Sequence, residues 1–241
     1  MVESFQVSTV AHSVLDRHRA FADPQGLSLP NITMQILHLD SSILTDASAS
    51  RTLTAAIVSY IRSEHPGAQV SYRDLVEEAI PHLDGPIAAG FRPIHSDDSS
   101  ASVAREHARS AALVAELLAS DTIVIGSPMY NFSVASQLKA WIDRVVQPGR
   151  TFQYTATGPI GLATGKRVIV ASTRGGAYAS GPATAMDFQE DYLKAIFGFI
   201  GITDIRFVRA ENLSRGADAK QLSMQAAHAA VAEVVRHATT I

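Results

Sequence analysis

Three short stretches of this chain carry residue types that could do chemistry. From Asp40 to Ser50 it reads Asp-Ser-Ser-Ile-Leu-Thr-Asp-Ala-Ser-Ala-Ser, where an apolar strand gives way to an amphipathic helix. A helix N-terminus presents unpaired N–H groups and the positive end of a dipole, so this run of small hydroxyls could bind a phosphate. Ser and Asp are also favoured as ordinary N-caps, and this stretch alone leaves both roles open. No Lys or Arg falls within the turn, so a phosphate there would be held by neutral donors. The second stretch is Asp121–Phe132, Asp-Thr-Ile-Val-Ile-Gly-Ser-Pro-Met-Tyr-Asn-Phe. Thr122–Ile125 reads as a strand buried on both faces and ended by Gly126 and Pro128. Met129–Phe132 then forms the loop at its carboxyl end. The third stretch is Thr173-Arg174-Gly175-Gly176, where paired glycines allow either a tight turn or close backbone approach to a flat ligand.

Several other chemistries are excluded. There is no Cys, which removes disulfides, thiolate metal sites and a Cys nucleophile. The nine His show no metal-ligand spacing, and no metal site is expected. Neither a Gly-Lys-Ser/Thr phosphate loop nor a Gly-x-Gly-x-x-Gly fingerprint follows the first strand. Ser136-Gln137-Leu138-Lys139 matches a serine acyl-transferase pattern but sits inside an expected helix without its companion motifs. With the ordinary nucleophiles and metals gone, a bound organic cofactor must carry any hard chemistry.

The elements that must position these loops follow from periodicity. Strands are expected at 33–39, 69–72, 122–125, 167–172 and 204–208, with helices at 50–61, 101–119, 135–145, 185–199 and 217–237. Phe188, Tyr192, Leu193 and Ile196 should form the buried stripe of the fourth helix. Two long connections are expected, 81–98 as a loop and 147–165 as a lid, a dimer contact or a surface segment carrying Phe152 and Tyr154. The alternation implies an α/β fold, a five-stranded parallel sheet with helices on both faces and strand order 2-1-3-4-5. Ligands bind outside the carboxyl ends of such strands, where the order reverses.

The 241 residues suffice for one domain with one sizeable core. Residues 1–33 read as an N-terminal extension, a mobile tail or a short helix, and 34–241 as the catalytic domain. A net charge of −3 gives no reason to expect nucleic acid or an anionic membrane as partner. No apolar run reaches the roughly 20 residues that span a bilayer. With no signal-peptide pattern either, a cytoplasmic protein is expected.

Taken together, these stretches resemble the FMN-dependent NADH-azoreductases, also described as NADH:quinone oxidoreductases, of the flavodoxin-like superfamily. The resemblance runs from Met34 to the C-terminus. It rests on Ser41-Ser42-Ile43-Leu44 with Ser48 and Ser50, on Ser127-Pro128-Met129-Tyr130-Asn131-Phe132, and on Tyr154 with Gly158-Pro159, Gly161-Leu162 and Gly165-Lys166. Thr173-Arg174-Gly175-Gly176 and Gly198-Phe199-Ile200-Gly201-Ile202 complete it. It implies that Ser42, Ser48, Ala49 and Ser50 hold the FMN phosphate. It further implies that Pro128, Met129, Tyr130, Asn131 and Phe132 line the isoalloxazine edge, with Thr173, Arg174, Gly175 and Gly176 along the ring's polar side. Asn131, Tyr154, Ile196 and Phe197 are the implied substrate contacts, and Arg174 is a further candidate. Ala49 stands where the family often has Gln, and Thr173 where it commonly has Ser. Ile196, with Phe197 beside it, replaces an aromatic of the substrate pocket. The implied activity is ping-pong hydride transfer from NADH (or NADPH) through flavin N5 to quinones and azo compounds. The implied assembly is a homodimer in which Tyr154's loop reaches toward the partner's flavin. A flavodoxin-like electron carrier and a flavin-free binding module are the competing readings.

Overall fold

A computed structural model of the chain describes residues 33–236. The expected extension, apart from Thr33, lies outside the described residues, as does the last helix beyond Arg236. The chain runs β1 (Gln35–Asp40), α1 (Ala49–Glu64), β2 (Gln69–Asp74), α2 (Gly85–Ala89), α3 (Ala101–Ala119), β3 (Thr122–Pro128) and α4 (Ser136–Val145). It continues as β4 (Phe152–Thr155), β5 (Gly158–Gly161), β6 (Arg167–Thr173), α5 (Phe188–Phe199), β7 (Asp204–Ala210) and α6 (Ala217–Arg236). Five parallel strands form one sheet in the order β2-β1-β3-β6-β7. Counted within that sheet, this is the expected 2-1-3-4-5.

The central strand β3 is buried at every position between β1 and β6. Because side chains alternate along a strand, Ile123 and Ile125 enter one core and Val124 the other. The first core is closed by Leu113 and Leu117 of α3, Trp141 of α4 and Leu193 of α5. The second is closed by Leu53, Ile57 and Ile61 of α1, spaced four apart, and by Val231 of α6. Each fully buried Leu or Ile contributes about 1.5–3 kcal/mol relative to its exposed state.

Four features differ from the sequence reading. β3 does not stop at Gly126 but pairs with β6 as far as Pro128 opposite Thr173. Its pairing with β1 ends at Gly126, so Pro128's missing N–H falls where that ladder has already finished. Gly126 itself makes room for the buried Asp40, whose Oδ1 would lie 2.4 Å from a Cβ there. The loop at 81–98 contains α2, capped by Asp84 Oδ1 accepting from Ile87 N–H at 2.9 Å and started by Pro86. The segment 147–165 holds the antiparallel hairpin β4–β5. Finally, α5 begins at Phe188 rather than near 185, because Asp187 caps it by accepting from Gln189 and Glu190 N–H groups. Along the helix Leu193 is buried as expected, whereas Phe188 is 60% exposed and Gln189 and Phe197 are buried in its place. Tyr192 and Ile196 pack partly buried against the core.

Candidate functional site

The three loops singled out by residue type converge at the carboxyl ends of β1, β3 and β6. Buried Ser42 leads the first loop, and Ser48 caps α1 by accepting from Arg51 N–H at 3.2 Å. Ser48 and Ser50 hydroxyls lie 3.1 Å apart, both buried. The first-turn N–H groups of α1, those of Ala49 and Ser50 among them, have no partner within the helix. The phenol of Tyr130 ties this loop to the next, lying 3.5 Å from Ser42 Oγ and accepting from Ile43 N–H at 3.3 Å.

The second loop is a tight turn. Tyr130 N–H donates to Ser133 O at 3.0 Å and Ser133 N–H returns to Tyr130 O at 3.1 Å. Between them Asn131 and Phe132 have φ of 47° and 71°, left-handed values that Asn tolerates and Phe seldom adopts. Strain of order 1–3 kcal/mol at such a residue persists only where its surroundings hold it. Here Phe188 N–H donates to Phe132 O at 3.1 Å, and the Phe132 ring meets Tyr178 edge-on with centroids 6.2 Å apart. Met129 N–H donates to Thr173 O at 2.8 Å and joins this loop to the third.

The third loop is held from behind by a fourth that residue types did not reveal. Leu213, Ser214 and Asn212 N–H groups donate to the carbonyls of Arg174, Gly175 and Gly176 at 3.1, 3.1 and 3.0 Å. The Ser214 hydroxyl would lie 2.7 Å from a Cβ on Gly175. Among the described residues, the backbone N–H groups of Asn131, Phe132, Gly175, Gly176 and Ala177 have no hydrogen-bond partner. Two adjoining loops therefore offer five free donors.

Three sequence expectations change here. Arg174 is not a substrate contact: its guanidinium is wholly buried and pairs with Asp187 at 2.9 Å, Glu190 at 2.5 Å and Glu211 at 3.1 Å. Glu211 Oε1 also accepts from Tyr178 and Ala179 N–H groups at 2.7 and 2.9 Å, which anchors the third loop. Phe197 is 1% exposed and packs into the first core, so its side chain is turned away from solvent in this chain. Arg51, one residue beyond the hydroxyl turn, folds back to donate to Ser42 O at 3.0 Å, so the turn has a cation beside it after all. Tyr154 is 73% exposed on the hairpin, where its ring meets Phe152 edge-on. A cavity of about 400 Å³ opens beside the second loop, lined by Tyr130, Asn131, Ser133, Lys139 and Tyr192.

Arg51 is held by an ion pair with Asp74 and by Tyr72, whose phenol burial pushes up to about 12. Burial alone would raise Asp74, yet hydrogen bonds from Arg51 and from the Val76 and Glu77 N–H groups hold it below its usual 3.8. A depressed folded value gives stability that is complete above 3.8 and is lost as pH falls through the folded value. Thermal stability should therefore decline on acidification below 3.8, and Asp74→Asn should flatten that decline. An equally steep acid limb in Asp74→Asn would assign the loss to other carboxylates.

Three loops at the strand-order reversal, one of them leading into a hydroxyl-lined helix start and two of them carrying free amides, define a doubly wound α/β protein with donors gathered where such folds bind ligands. A family model described as flavodoxin-like fold matches residues 34–235, and the chain belongs to that family. A curated relative from Ralstonia nicotianae, named FMN-dependent NADH:quinone oxidoreductase, is 68% identical over 205 residues, covering 85% of this chain and 99% of its own. A relative from Xanthomonas axonopodis pv. citri, named FMN-dependent NADH:quinone oxidoreductase 2, is 59% identical over 203 residues, or 84% and 94% of the two chains. Among solved structures, an azoreductase from Bacillus anthracis aligns with a TM-score of 0.76 at 25% identity, over 84% of this chain and 98% of that one. No helix among the described residues is long and apolar enough to cross a membrane.

Proposed function

We propose that this chain is an FMN-dependent oxidoreductase that takes electrons from NADH, or NADPH, and delivers them to quinones and azo compounds. The observation that carries the reading is the set of five free N–H groups on the two adjoining loops, which Tyr130 ties to the hydroxyl-lined start of α1. The residues fit the cofactor. Ser42, Ser48 and Ser50 hydroxyls, with the Ala49 and Ser50 N–H groups, would hold the phosphate at the positive end of α1. Pro128–Phe132 and Thr173–Gly176 would line the ring, Arg174 through its backbone. Bound FMN would supply the redox chemistry, accepting two electrons from the nicotinamide and passing them to the acceptor in alternation.

The protein's part is binding and electrostatics. Free amides fixed in tight loops stabilise negative charge that builds along the ligand's polar edge, and they need no reorganisation to do so. Arg51 adds positive potential at the phosphate end without leaving its pair with Asp74. Asn131 stands at the cavity beside the second loop and is the substrate contact from within the chain. Exposed Ile43, Leu44, Phe132 and Phe188 give the rim an apolar character that suits a second copy. In such a homodimer, acting in the cytoplasm, exposed Tyr154 is the contact offered to the partner's site.

The test is an anaerobic NADH titration of purified protein followed by its visible spectrum. Bleaching of a bound flavin band, restored by a quinone, supports the enzyme. A flavin that bleaches but is reoxidised only by a partner protein favours an electron carrier. A colourless protein that does not take up added FMN overturns the reading.

A further inference from the structure

The first turn of α5 touches both loops that offer the free amides. Gln189, which is fully buried, braces the ends of the two strands that lead into them. Its Nε2 donates to Ser127 O at 2.9 Å and lies 3.1 Å from Ser127 Oγ, at the end of β3. Its Oε1 accepts from Ser172 Oγ at 3.1 Å and from Arg174 Nε at 3.3 Å, at the end of β6. One amide thus spans the two strand ends from which both loops spring. Neighbouring residues of the same turn complete the bracket: Phe188 N–H holds Phe132 O, and Glu190 pairs with Arg174 and with Arg209 of β7.

Later turns of α5 present Leu193 and Phe197 at the same face. Burying an amide costs free energy unless every donor and acceptor is paired, and here both ends are. We propose that Gln189 is a positioning residue that sets the spacing between the two donor loops, and through it the affinity for a planar ligand that both loops grasp. The proposal rests on the FMN reading for the identity of that ligand, but not for the loop geometry.

The test uses the full chain and two readouts, FMN affinity by fluorescence titration and amide exchange in the FMN-free protein. Gln189→Met keeps the length and loses every hydrogen bond. It should weaken FMN binding at least tenfold and quicken exchange at Met129, Tyr130 and Ser133, and at Tyr178 and Ala179. Gln189→Glu keeps the acceptor and loses the donor. It should quicken exchange at Met129, Tyr130 and Ser133 while Tyr178 and Ala179 stay at wild-type rates. Val231→Ala, a core truncation in α6, is the control for lost stability and should change neither readout. Wild-type affinity and exchange in both Gln189 variants would overturn the proposal, as would equal loosening in Val231→Ala. A wild-type chain that binds no FMN would sink the cofactor assignment alone, since the exchange arm still decides the positioning role.

Discussion

Replacing Arg174 by Met should cost about 3–5 kcal/mol of stability, the usual result of stripping one partner from a buried ion network. At about 2–4 °C per kcal/mol for a domain of this size, the melting temperature should fall by roughly 6–20 °C. The guanidinium is wholly buried and faces Asp187, Glu190 and Glu211. Met fills similar volume and leaves three carboxylates with only Arg209 to answer Glu190. Adding Glu211→Gln to this variant should recover part of the loss. Gln removes one unpaired charge while its Oε1 still accepts from Tyr178 and Ala179 N–H groups. Neighbours in one network are non-additive in this way. If Arg174 instead contacted substrate, Arg174→Met would melt like the wild type and show only a raised KM. Thermal unfolding beside steady-state kinetics separates the two.

Gly161→Ala should be nearly as damaging, for a reason unrelated to charge. A Cβ at Gly161 would lie 2.1 Å from Gly201 N and 2.2 Å from Ile200 C. Both obstacles are backbone, so no side chain can swing aside. Overpacking typically costs about 1–3 kcal/mol, and a rigid obstacle puts this site at the upper end, a fall of roughly 6–12 °C in melting temperature. The hairpin β4–β5 must lift away from α5, disturbing the Phe152–Phe199 contact and the bond from Ala163 N–H to Ile200 O. Gly198→Ala, three residues before Gly201, is the informative contrast. Its added methyl meets nothing within 4 Å and sits in helix, so it should raise stability by about 0.5–1 kcal/mol. Equal melting of Gly161→Ala and wild type would refute the packing argument.

The sheet and its crevice were legible because their signals are local. Thr122–Ile125 and Val168–Ala171 are β-branched or small apolar runs closed by Gly, Ser or Pro, and buried parallel strands look like that wherever they occur. Hydroxyls before an amphipathic helix and paired glycines after a strand are equally local. The hairpin was not legible, since its strands have four residues each and include two glycines and Pro159. Four residues are too few for alternation to register. The direction of Arg174 had no local signal either. A charged residue beside Gly-Gly reads as a ligand contact, and its carboxylate partners come from α5 and from Glu211, 37 residues further on. Gln189 was hidden for the same reason. A polar residue at a helix start reads as surface until the ends of β3 and β6 are seen to close over it.

The Arg174 network also orders events in time. Glu190 needs Arg209, and the third loop needs Glu211, yet both lie in or just after β7, the last strand of the sheet to leave the ribosome. Until then, a collapsed nascent chain holding β1 to β6 and α5 would bury Glu190 and Arg174 with their charges only partly answered, which disfavours closing that region early. The loops that face the ligand are thus finished only when synthesis has passed residue 211. The earlier strands can pair beforehand, but the binding face waits on β7 and the residue that follows it.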